Sequence, residues 1–171
     1  MRHRTLRAGL PIAAMSLLAA TVPGIAAADG AARPAGPDQH CNFDVRSGEQ
    51  HCFGSLDEAE ADARVRGSAH GGATAQGDII QATLFDEENF AGASFTVYGT
   101  GMCEKNDKVD YQIDLPDDWK NRVSSVQPWA DCWIWLYPEP GLGGDRDGPF
   151  KENTGAVGGA LNDRAQSVGL S

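Results

Sequence analysis

The sequence predicts an all-β fold, a sandwich of short strands, with a small hairpin-plus-helix appendage at its N-terminal end. Over residues 78–171, the β-forming Val, Ile, Phe, Tyr and Trp residues fall in short runs separated by Gly, Pro, Asn and Asp. This spacing is typical of sandwiches and barrels. Residues 41–67 carry instead two short strand patterns and one helix signature. With 41% hydrophobic and 22% charged residues, the chain is neither disordered throughout nor a multispan membrane protein.

Residues 1–28 have the pattern of a secretory signal peptide. A basic start is followed by an apolar run over 8–25 and by small residues up to Ala28, after which we place the cleavage site. A membrane-spanning helix is the alternative, and the two prolines that interrupt the run disfavour it. No later stretch approaches the roughly 18 apolar residues that a transmembrane helix needs. We therefore expect a secreted, extracellular protein that does not engage a membrane after cleavage.

The net charge of −10 narrows the classes of partner. An acidic chain repels phosphate backbones, so we expect no nucleic-acid partner. It is repelled by anionic membrane surfaces for the same reason. The acid excess is compatible with divalent cations, with basic partners or with solubility alone.

Short pieces precede the β-domain. Residues 29–40 are small and proline-rich, which predicts a flexible tail. Residues 41–53 predict two short strands around a turn at 47–48. Residues 68–77 are glycine and small polar residues, which we interpret as a linker. The β-domain is accordingly placed at 78–171.

One helix is predicted between the hairpin and the linker, within the unit 41–67. Ser55 and Glu58 form a capping box at its start. Acidic residues lie in the first turns, arginines in the last, and Gly67 follows as a stop signal. The predicted helix spans about 56–66. Its few apolar side chains can pack weakly on another element but cannot form a core.

Four cysteines remain after signal cleavage, and exported proteins keep disulfides. Sequence proximity and the division between appendage and β-domain favour the pairs Cys41–Cys52 and Cys103–Cys132. The second pair closes a loop of about 30 residues, worth roughly 3–4 kcal/mol in the chain-entropy model. A zinc site is the alternative, but no pair has the short C-x2-C spacing that such sites use.

The β-domain contains an internal repeat. Residues 85–92 align with 137–144, and residues 121–126 align with 163–168. Between these two landmarks the first repeat is ten residues longer, and the additional residues fall in the region that carries Cys103. Two such units predict a domain with pseudo-two-fold symmetry.

The aligned residues resemble the Greek-key signature of the βγ-crystallin family: an aromatic residue, four residues, a second aromatic residue, one residue and a glycine. The residues that carry it are Phe85, Phe90 and Gly92 in the first repeat, and Tyr137, Leu142 and Gly144 in the second, where leucine replaces the second aromatic residue. The resemblance covers 78–171 and implies a two-Greek-key β-sandwich. The chain looks like the secreted bacterial type of this family.

The resemblance also implies a calcium motif: Asn/Asp, Asn/Asp, two variable residues, Ser/Thr, Ser. It falls on 120–125 and on 162–167. In the family each ion takes ligands from both loops and from backbone carbonyls, and calcium prefers such oxygens. The implied competent site is formed by Asn162, Asp163, Arg164 and Ser124. The hairpins around Glu88 and Glu139 are implied to add backbone carbonyls.

The second implied calcium site is degraded. It comprises Asn121, Arg122 and Gln166. Its first position is the cation Lys120, and the amide of Gln166 replaces a hydroxyl. A glutamine carbonyl can still bind calcium, so weak binding there stays open. The structural alternative for both loops is that their polar residues only hold turns by side-chain to backbone hydrogen bonds.

No catalytic residue is predicted. After cleavage only His40, His51 and His70 remain, all outside the β-domain, so that domain cannot hold a Ser-His-Asp triad. Two carboxylates could run glycoside hydrolysis, but acids this plentiful are usually solvated surface.

Four tryptophans lie close together in the sequence. Trp133, Trp135 and Tyr137 share one strand face by alternation, and we predict that this face points into the core. Trp129, beside Pro128, is predicted to be exposed. The alternative is an aromatic platform for a sugar or a partner protein.

Taken together, these features predict a secreted, non-enzymatic, calcium-binding monomer. The resemblance implies two alternatives: an inhibitor of secreted metalloproteases, and a killer-toxin-like antimicrobial protein with a cell-surface target. An inhibitor needs a rigid exposed loop before it binds an extracellular protease. The stretch 99–108, tethered through Cys103, and the glycine-rich 153–161 are the candidates.

Overall fold

The computed structural model describes residues 39–69 and 79–171. The predicted signal peptide, nearly all of the predicted tail at 29–40 and most of the predicted linker at 68–77 lie outside the described residues. In the described part, no helix is long and apolar enough to cross a membrane.

The described residues form nine strands and one α-helix. In chain order these are β1 (His40–Asp44), β2 (Gln50–Phe53), α1 (Leu56–Ala69), β3 (Ile79–Phe85), β4 (Ser94–Gly99), β5 (Tyr111–Asp114), β6 (Ser125–Pro128), β7 (Ile134–Tyr137), β8 (Asp147–Phe150) and β9 (Ser167–Leu170). Single 3-10 turns at Glu88–Phe90 and Pro140–Leu142 occupy equivalent places in the two repeats.

The strands form two sheets whose order identifies two Greek keys. One sheet runs β2-β1-β4-β3-β6 and the other β5-β9-β7-β8. The third strand of the first repeat, β5, leaves its own sheet and pairs with β9 of the second repeat. In return, the second repeat contributes a single bridge from Thr154 to Val126 of β6. Each repeat thus lends its third segment to the sheet of the other, and the predicted two-Greek-key β-sandwich is confirmed.

The core lies between the two sheets. Its largest fully buried side chains are Trp119, Phe95, Leu84, Ile113, Leu115, Ile134, Leu136 and Leu170. The predicted orientation of β7 is wrong, because Ile134 and Leu136 join this cluster and the alternate residues do not. Trp135 and Tyr137 are buried as predicted but lie on the opposite face of the strand, and the Arg146 guanidinium lies 3.6 Å from the Trp135 ring centroid. Trp129, in contrast, is exposed as predicted.

The N-terminal hairpin extends the first sheet. β1 pairs with β4 in parallel, and β2 becomes the outer strand. Phe43 of the hairpin lies against Phe95, with ring centroids 5.3 Å apart, and Phe95 in turn contacts Trp119 at 5.3 Å. Cys41 is 1% exposed and belongs to the same core. The hairpin therefore shares the hydrophobic core of the sandwich.

Helix α1 packs on the hairpin through a buried amide. Asn42 donates from Nδ2 to the Ala59 carbonyl at 2.8 Å and to Asp62 Oδ2 at 3.1 Å. The helix begins as its capping box predicts, with the Ser55 hydroxyl accepting from the Glu58 N–H at 3.3 Å. It ends at Ala69, beyond the predicted stop at Gly67. One glycine costs a helix only about 1 kcal/mol, which does not suffice to end it.

Both predicted disulfides are confirmed. Cys41 is bonded to Cys52 and Cys103 to Cys132, with Cα–Cα distances of 4.0 and 4.7 Å. The first closes the β1–β2 hairpin. The second ties the loop after β4 to the turn that precedes β7.

Candidate metal centre

The two predicted calcium loops lie side by side and exchange backbone hydrogen bonds. The Asn121 N–H donates to the Ala165 carbonyl at 2.8 Å, and the Asp163 N–H donates to the Val123 carbonyl at 3.1 Å. Asn121 and Asp163 both have left-handed backbones, with φ of 59° and 55°. Asn and Asp enter this region more readily than most other residues. The pseudo-two-fold symmetry therefore brings side chains of both repeats together.

Three of the predicted ligands of the competent site are in contact. The Ser124 hydroxyl donates to Asp163 Oδ1 at 3.2 Å, and Asn162 Nδ2 donates to Asp163 Oδ2 at 3.2 Å. Asn162 Oδ1 is shielded from solvent and has no hydrogen-bond partner among the described residues. One carboxylate thus contacts a hydroxyl and a side-chain amide, and the oxygen of that amide is unsatisfied.

The other predicted members of this site lie nearby in different roles. Arg164 is exposed and lines an open cleft of about 690 Å³ together with Glu139 and Arg146. The Glu139 carbonyl accepts a hydrogen bond from Ser167 at 2.6 Å. Glu88 begins a 3-10 turn and is exposed. The backbone contribution predicted for Glu88 and Glu139 stays a prediction.

The last serine of each motif holds a hairpin. Ser125 Oγ donates to the Glu87 carbonyl at 2.6 Å and accepts from the Phe90 N–H at 3.0 Å. Ser167 does the same with the Glu139 carbonyl at 2.6 Å and the Leu142 N–H at 3.0 Å. Both serines are fully buried. Ser125 and Ser167 therefore hold turns by side-chain to backbone hydrogen bonds, which is the structural alternative to a role as calcium ligands.

The signature residues explain why each hairpin folds over its sheet. Phe85 and Phe90 make an edge contact with ring centroids 5.8 Å apart. Gly92 has φ of 73°, and a Cβ there would clash with the Asp86 carboxylate. Gly144 has φ of 80°, and a Cβ there would lie 2.6 Å from Pro138 Cγ. Glycine is required at both positions because only it fits this backbone and this space.

The first loop carries its own cations. Lys120, which aligns with Asn162, pairs with Asp117 at 2.6 Å, and the hydrogen bond from this ammonium lowers the pKa of Asp117. Arg122 pairs with Asp86 at 2.6 Å, donates to the Asp118 carbonyl at 2.8 Å and lies 4.9 Å from the Trp119 ring centroid. Positive charge therefore occupies the loop that the sequence predicts to be degraded.

The remaining members of the degraded site have backbone roles. Asn121 is exposed and donates its N–H to the other repeat. Gln166 donates its N–H to the Tyr137 carbonyl at 2.8 Å and accepts from the Leu115 N–H at 3.0 Å.

The Asp86–Arg122 ion pair was not foreseen from the sequence. Its partners are 36 positions apart, and their spacing carries no motif. The only local signal is that Asp86 directly follows the first signature aromatic residue.

The donor set at the second loop suits a hard cation. Among the described residues, no three His, Cys, Asp or Glu side chains lie together as a metal cluster. Zinc prefers nitrogen and sulfur ligands, whereas calcium accepts carboxylate, hydroxyl and amide oxygens. The oxygens of Asn162, Asp163 and Ser124 are therefore of the chemical types that calcium binds.

Comparison with known proteins finds similar solved structures. No protein-family model and no curated protein matches the chain. It is similar to a βγ-crystallin domain from Clostridium beijerinckii, at 16% identity and a TM-score of 0.40, over 53% of this chain and 95% of that one. It is also similar to a βγ-crystallin domain from Flavobacterium johnsoniae, at 16% identity and a TM-score of 0.40, over 53% and 92% of the two chains.

A third similar structure is the N-terminal domain of Protein S, at 20% identity and a TM-score of 0.41, over 53% of this chain and 94% of that one. The two-Greek-key fold that the signature residues predicted stands on the strand order of this chain itself.

Proposed function

We propose that this chain is an exported binding protein whose β-domain holds one calcium ion at the second loop. The observation that carries the proposal is the solvent-shielded Asn162 Oδ1, which has no donor among the described residues, on a side chain whose Nδ2 contacts Asp163, the residue that the Ser124 hydroxyl also contacts. Leaving a buried acceptor unsatisfied costs about 1–3 kcal/mol. A cation ligated there would remove that cost.

The proposed ligands come from both halves of the domain. Asn162 and Asp163 belong to the second repeat, and Ser124 belongs to the first. Calcium would therefore join the two Greek keys in addition to the backbone bonds between the loops. Calcium takes six to eight oxygens, so backbone carbonyls and water would complete its shell.

The charges around the loops favour weak binding at one site. The second loop has a single carboxylate, with the exposed Arg164 beside it. Sites with few charged ligands resemble extracellular calcium modules, with Kd on the order of 0.1–1 mM. The first loop holds Lys120 and Arg122, so we expect no ion there at comparable concentration.

The proposal includes export of the protein from the cell. Two disulfides are stable in an oxidising compartment and uncommon in the cytosol. Calcium is plentiful outside cells relative to such a Kd. A non-enzymatic role agrees with a site that offers ligands and no acid–base pair.

Calorimetric titration with calcium tests the proposal on the oxidised chain. We expect one site in the wild type and at least about a tenfold loss of affinity in Asp163→Asn, because the only carboxylate is removed. Asparagine tolerates the left-handed backbone at this position, so the fold is preserved. Asp117→Asn is the matched control, since it removes one exposed acid from the first loop and leaves Kd unchanged.

Thermal unfolding gives an independent readout. A ligand specific for the native state raises stability by about 1.4–2.7 kcal/mol when its concentration is about 10 to 100 times Kd. Equal melting temperatures in chelator and in about 10 mM calcium would contradict the proposal.

Inhibition of an extracellular protease is a second candidate, and the rigidity of loop 99–108 favours it. Its backbone is held by the Cys103–Cys132 bond, by the Cys103 N–H to the Ala130 carbonyl at 3.1 Å and by Gln81 Nε2 to the Gly101 carbonyl at 2.8 Å. Met102 within it is 60% exposed. Such a loop loses little entropy on binding. No inhibition across a panel of secreted metalloproteases at micromolar protein would remove this candidate.

The alternative loop at 153–161 is tied into the domain. Thr154 bridges to Val126, and Val157 is 3% exposed. Antimicrobial activity against a cell-surface target stays a prediction that growth inhibition tests.

A further inference from the structure

A small open pocket lies beside the Cys103–Cys132 disulfide, away from the proposed calcium site. Its volume is about 270 Å³. The lining residues that matter are two indoles, two ammonium groups and one carboxylate: Trp129, Trp133, Lys105, Lys151 and Asp131. Lys105 belongs to the region where the first repeat is ten residues longer than the second. The pocket therefore includes a part of the chain that the Greek-key pattern does not require.

The backbone around this pocket is strained in a way that the fold does not explain. In the described part of the chain, nine non-glycine residues have positive φ. Five of them occupy turns that recur in the two repeats: Asn89, Phe90, Asn121, Leu142 and Asp163. The other four are Lys105, Asp107, Ala130 and Asp131, with φ of 50°, 61°, 50° and 60°. Residues held in this sparsely populated region cluster at binding sites.

Strong local bonds hold that backbone in place. The disulfide joins the two strained segments, and the Cys103 N–H donates to the Ala130 carbonyl at 3.1 Å. The Cys132 N–H closes the turn on the Trp129 carbonyl at 2.8 Å. The pocket wall is thus formed before any ligand arrives, which lowers the entropic cost of binding.

The lining offers hydrogen-bond donors and positive charge. Lys151 Nζ lies 3.6 Å from the Trp133 ring centroid. Among the described residues, no carboxylate lies within ion-pair distance of this ammonium, and no acceptor is bonded to Trp133 Nε1. Lys105 pairs with Asp131 at 2.5 Å. Two ammonium groups therefore face one carboxylate, in a chain whose net charge is −10.

The second indole supplies a fixed apolar surface. Trp129 is 43% exposed, and its Nε1 donates to the Thr83 hydroxyl at 3.2 Å. This bond holds the ring while much of it stays in contact with solvent. A ligand for this pocket needs a flat apolar face for the Trp129 ring and a negative group for Lys151. It also needs hydroxyls that can accept from Trp133 and donate to Asp131.

A carboxylated sugar ring has all of these features. We propose that the pocket binds an anionic saccharide, through one or two hexuronate units of an acidic glycan. The volume lies just below the roughly 300–1,000 Å³ usual for small-molecule pockets, which suits a ligand of one or two rings. An acidic peptide fits less well, because extended peptides bind along free strand edges or long grooves. Of the edges beside the pocket, that of β6 is already bridged by Thr154.

Binding of trigalacturonate to the full oxidised chain, followed by tryptophan fluorescence and calorimetry in chelator, tests the proposal. The chelator removes any calcium carried by the saccharide, so failure of the calcium proposal cannot affect the result. We expect saturable binding that weakens with salt, and binding of neutral maltotriose at least about tenfold weaker, because a charge-assisted hydrogen bond is lost. No saturation by about 10 mM trigalacturonate would overturn the inference.

Surface variants separate the site from general charge attraction. Lys151→Gln and Trp129→Ala should each weaken binding about tenfold, and the second leaves the net charge unchanged. Lys108→Gln is the matched control, since this exposed lysine lies outside the pocket, and it should leave Kd unchanged. Equal affinity in Lys151→Gln and wild type would overturn the inference. So would hexaglutamate that binds as tightly as trigalacturonate, because it would show a peptide site or simple charge attraction.

Discussion

Two adjacent serines in the first loop should contribute very unequally to stability in the absence of calcium. Ser125 is fully buried, donates to the Glu87 carbonyl at 2.6 Å and accepts from the Phe90 N–H at 3.0 Å. Ser124 makes one side-chain bond, at 3.2 Å, to the exposed Asp163. Ser125→Ala removes two of the hydrogen bonds that hold the folded hairpin and leaves the Glu87 carbonyl and the half-buried Phe90 N–H without this partner. Ser124→Ala removes one long bond whose partner can bind water instead.

The two substitutions should lower the free energy of unfolding by measurably different amounts. A hydrogen bond contributes about 0.5–1.5 kcal/mol net, and a buried group left unsatisfied costs about 1–3 kcal/mol, so we expect Ser125→Ala to cost about 2–4 kcal/mol. That corresponds to a fall in melting temperature on the order of 5–15 °C for a chain of this size. Ser124→Ala should cost below about 1 kcal/mol in chelator.

Urea unfolding followed by tryptophan fluorescence measures both variants, with a constant m-value as the check that the unfolded state is unchanged. Ser167→Ala repeats the experiment in the second repeat, because Ser167 makes the same two bonds. The reasoning would be refuted if Ser124→Ala destabilised the chelated protein as much as Ser125→Ala does.

Two further predictions concern the sandwich and its helix. Burial raises the pKa of Tyr98 to about 12, with the Asp62 and Glu60 carboxylates adding to the shift. The folded state then keeps a proton that the unfolded state loses above pH 10.0, so the free energy of unfolding should fall as the pH rises from there toward 12. Tyr98→Phe should reduce that slope in pH-dependent urea unfolding, and an unaltered slope would contradict the assignment. For the partly buried Asp86–Arg122 pair, a double-mutant cycle should give a coupling energy of about 1–3 kcal/mol. A value near zero would show that Arg122 acts through Trp119 and the Asp118 carbonyl instead.

Much of the fold follows from local patterns. The two disulfides pair cysteines that are 11 and 29 residues apart, so proximity along the chain selects the partners. Gly92 and Gly144 are required by the backbone of their own turns. The Greek-key signature works for the same reason, since its aromatic contact and its glycine lie within one hairpin.

The inward face of β7 was predicted wrongly for a physical reason. Alternation separates two faces of a strand but does not say which one points inward when both are apolar. Ile134 and Leu136 fill the space between the sheets. Trp135 is buried on the other face because Arg146 covers it and Ser171 accepts from its Nε1 at 2.9 Å. Those partners lie in other segments of the chain.

The sequence by itself determined the repeat, the cysteine pairs and the oxygen-bearing loops, because each is encoded by residues whose chemistry acts over a few positions. Only the tertiary structure decided that Arg122 pairs with Asp86, that β1 lies beside β4, and that Lys151 lies over Trp133. These contacts depend on how distant segments are brought together by burial of a shared core. Burial is non-directional, so it leaves no spacing in the sequence from which such a partner could be read.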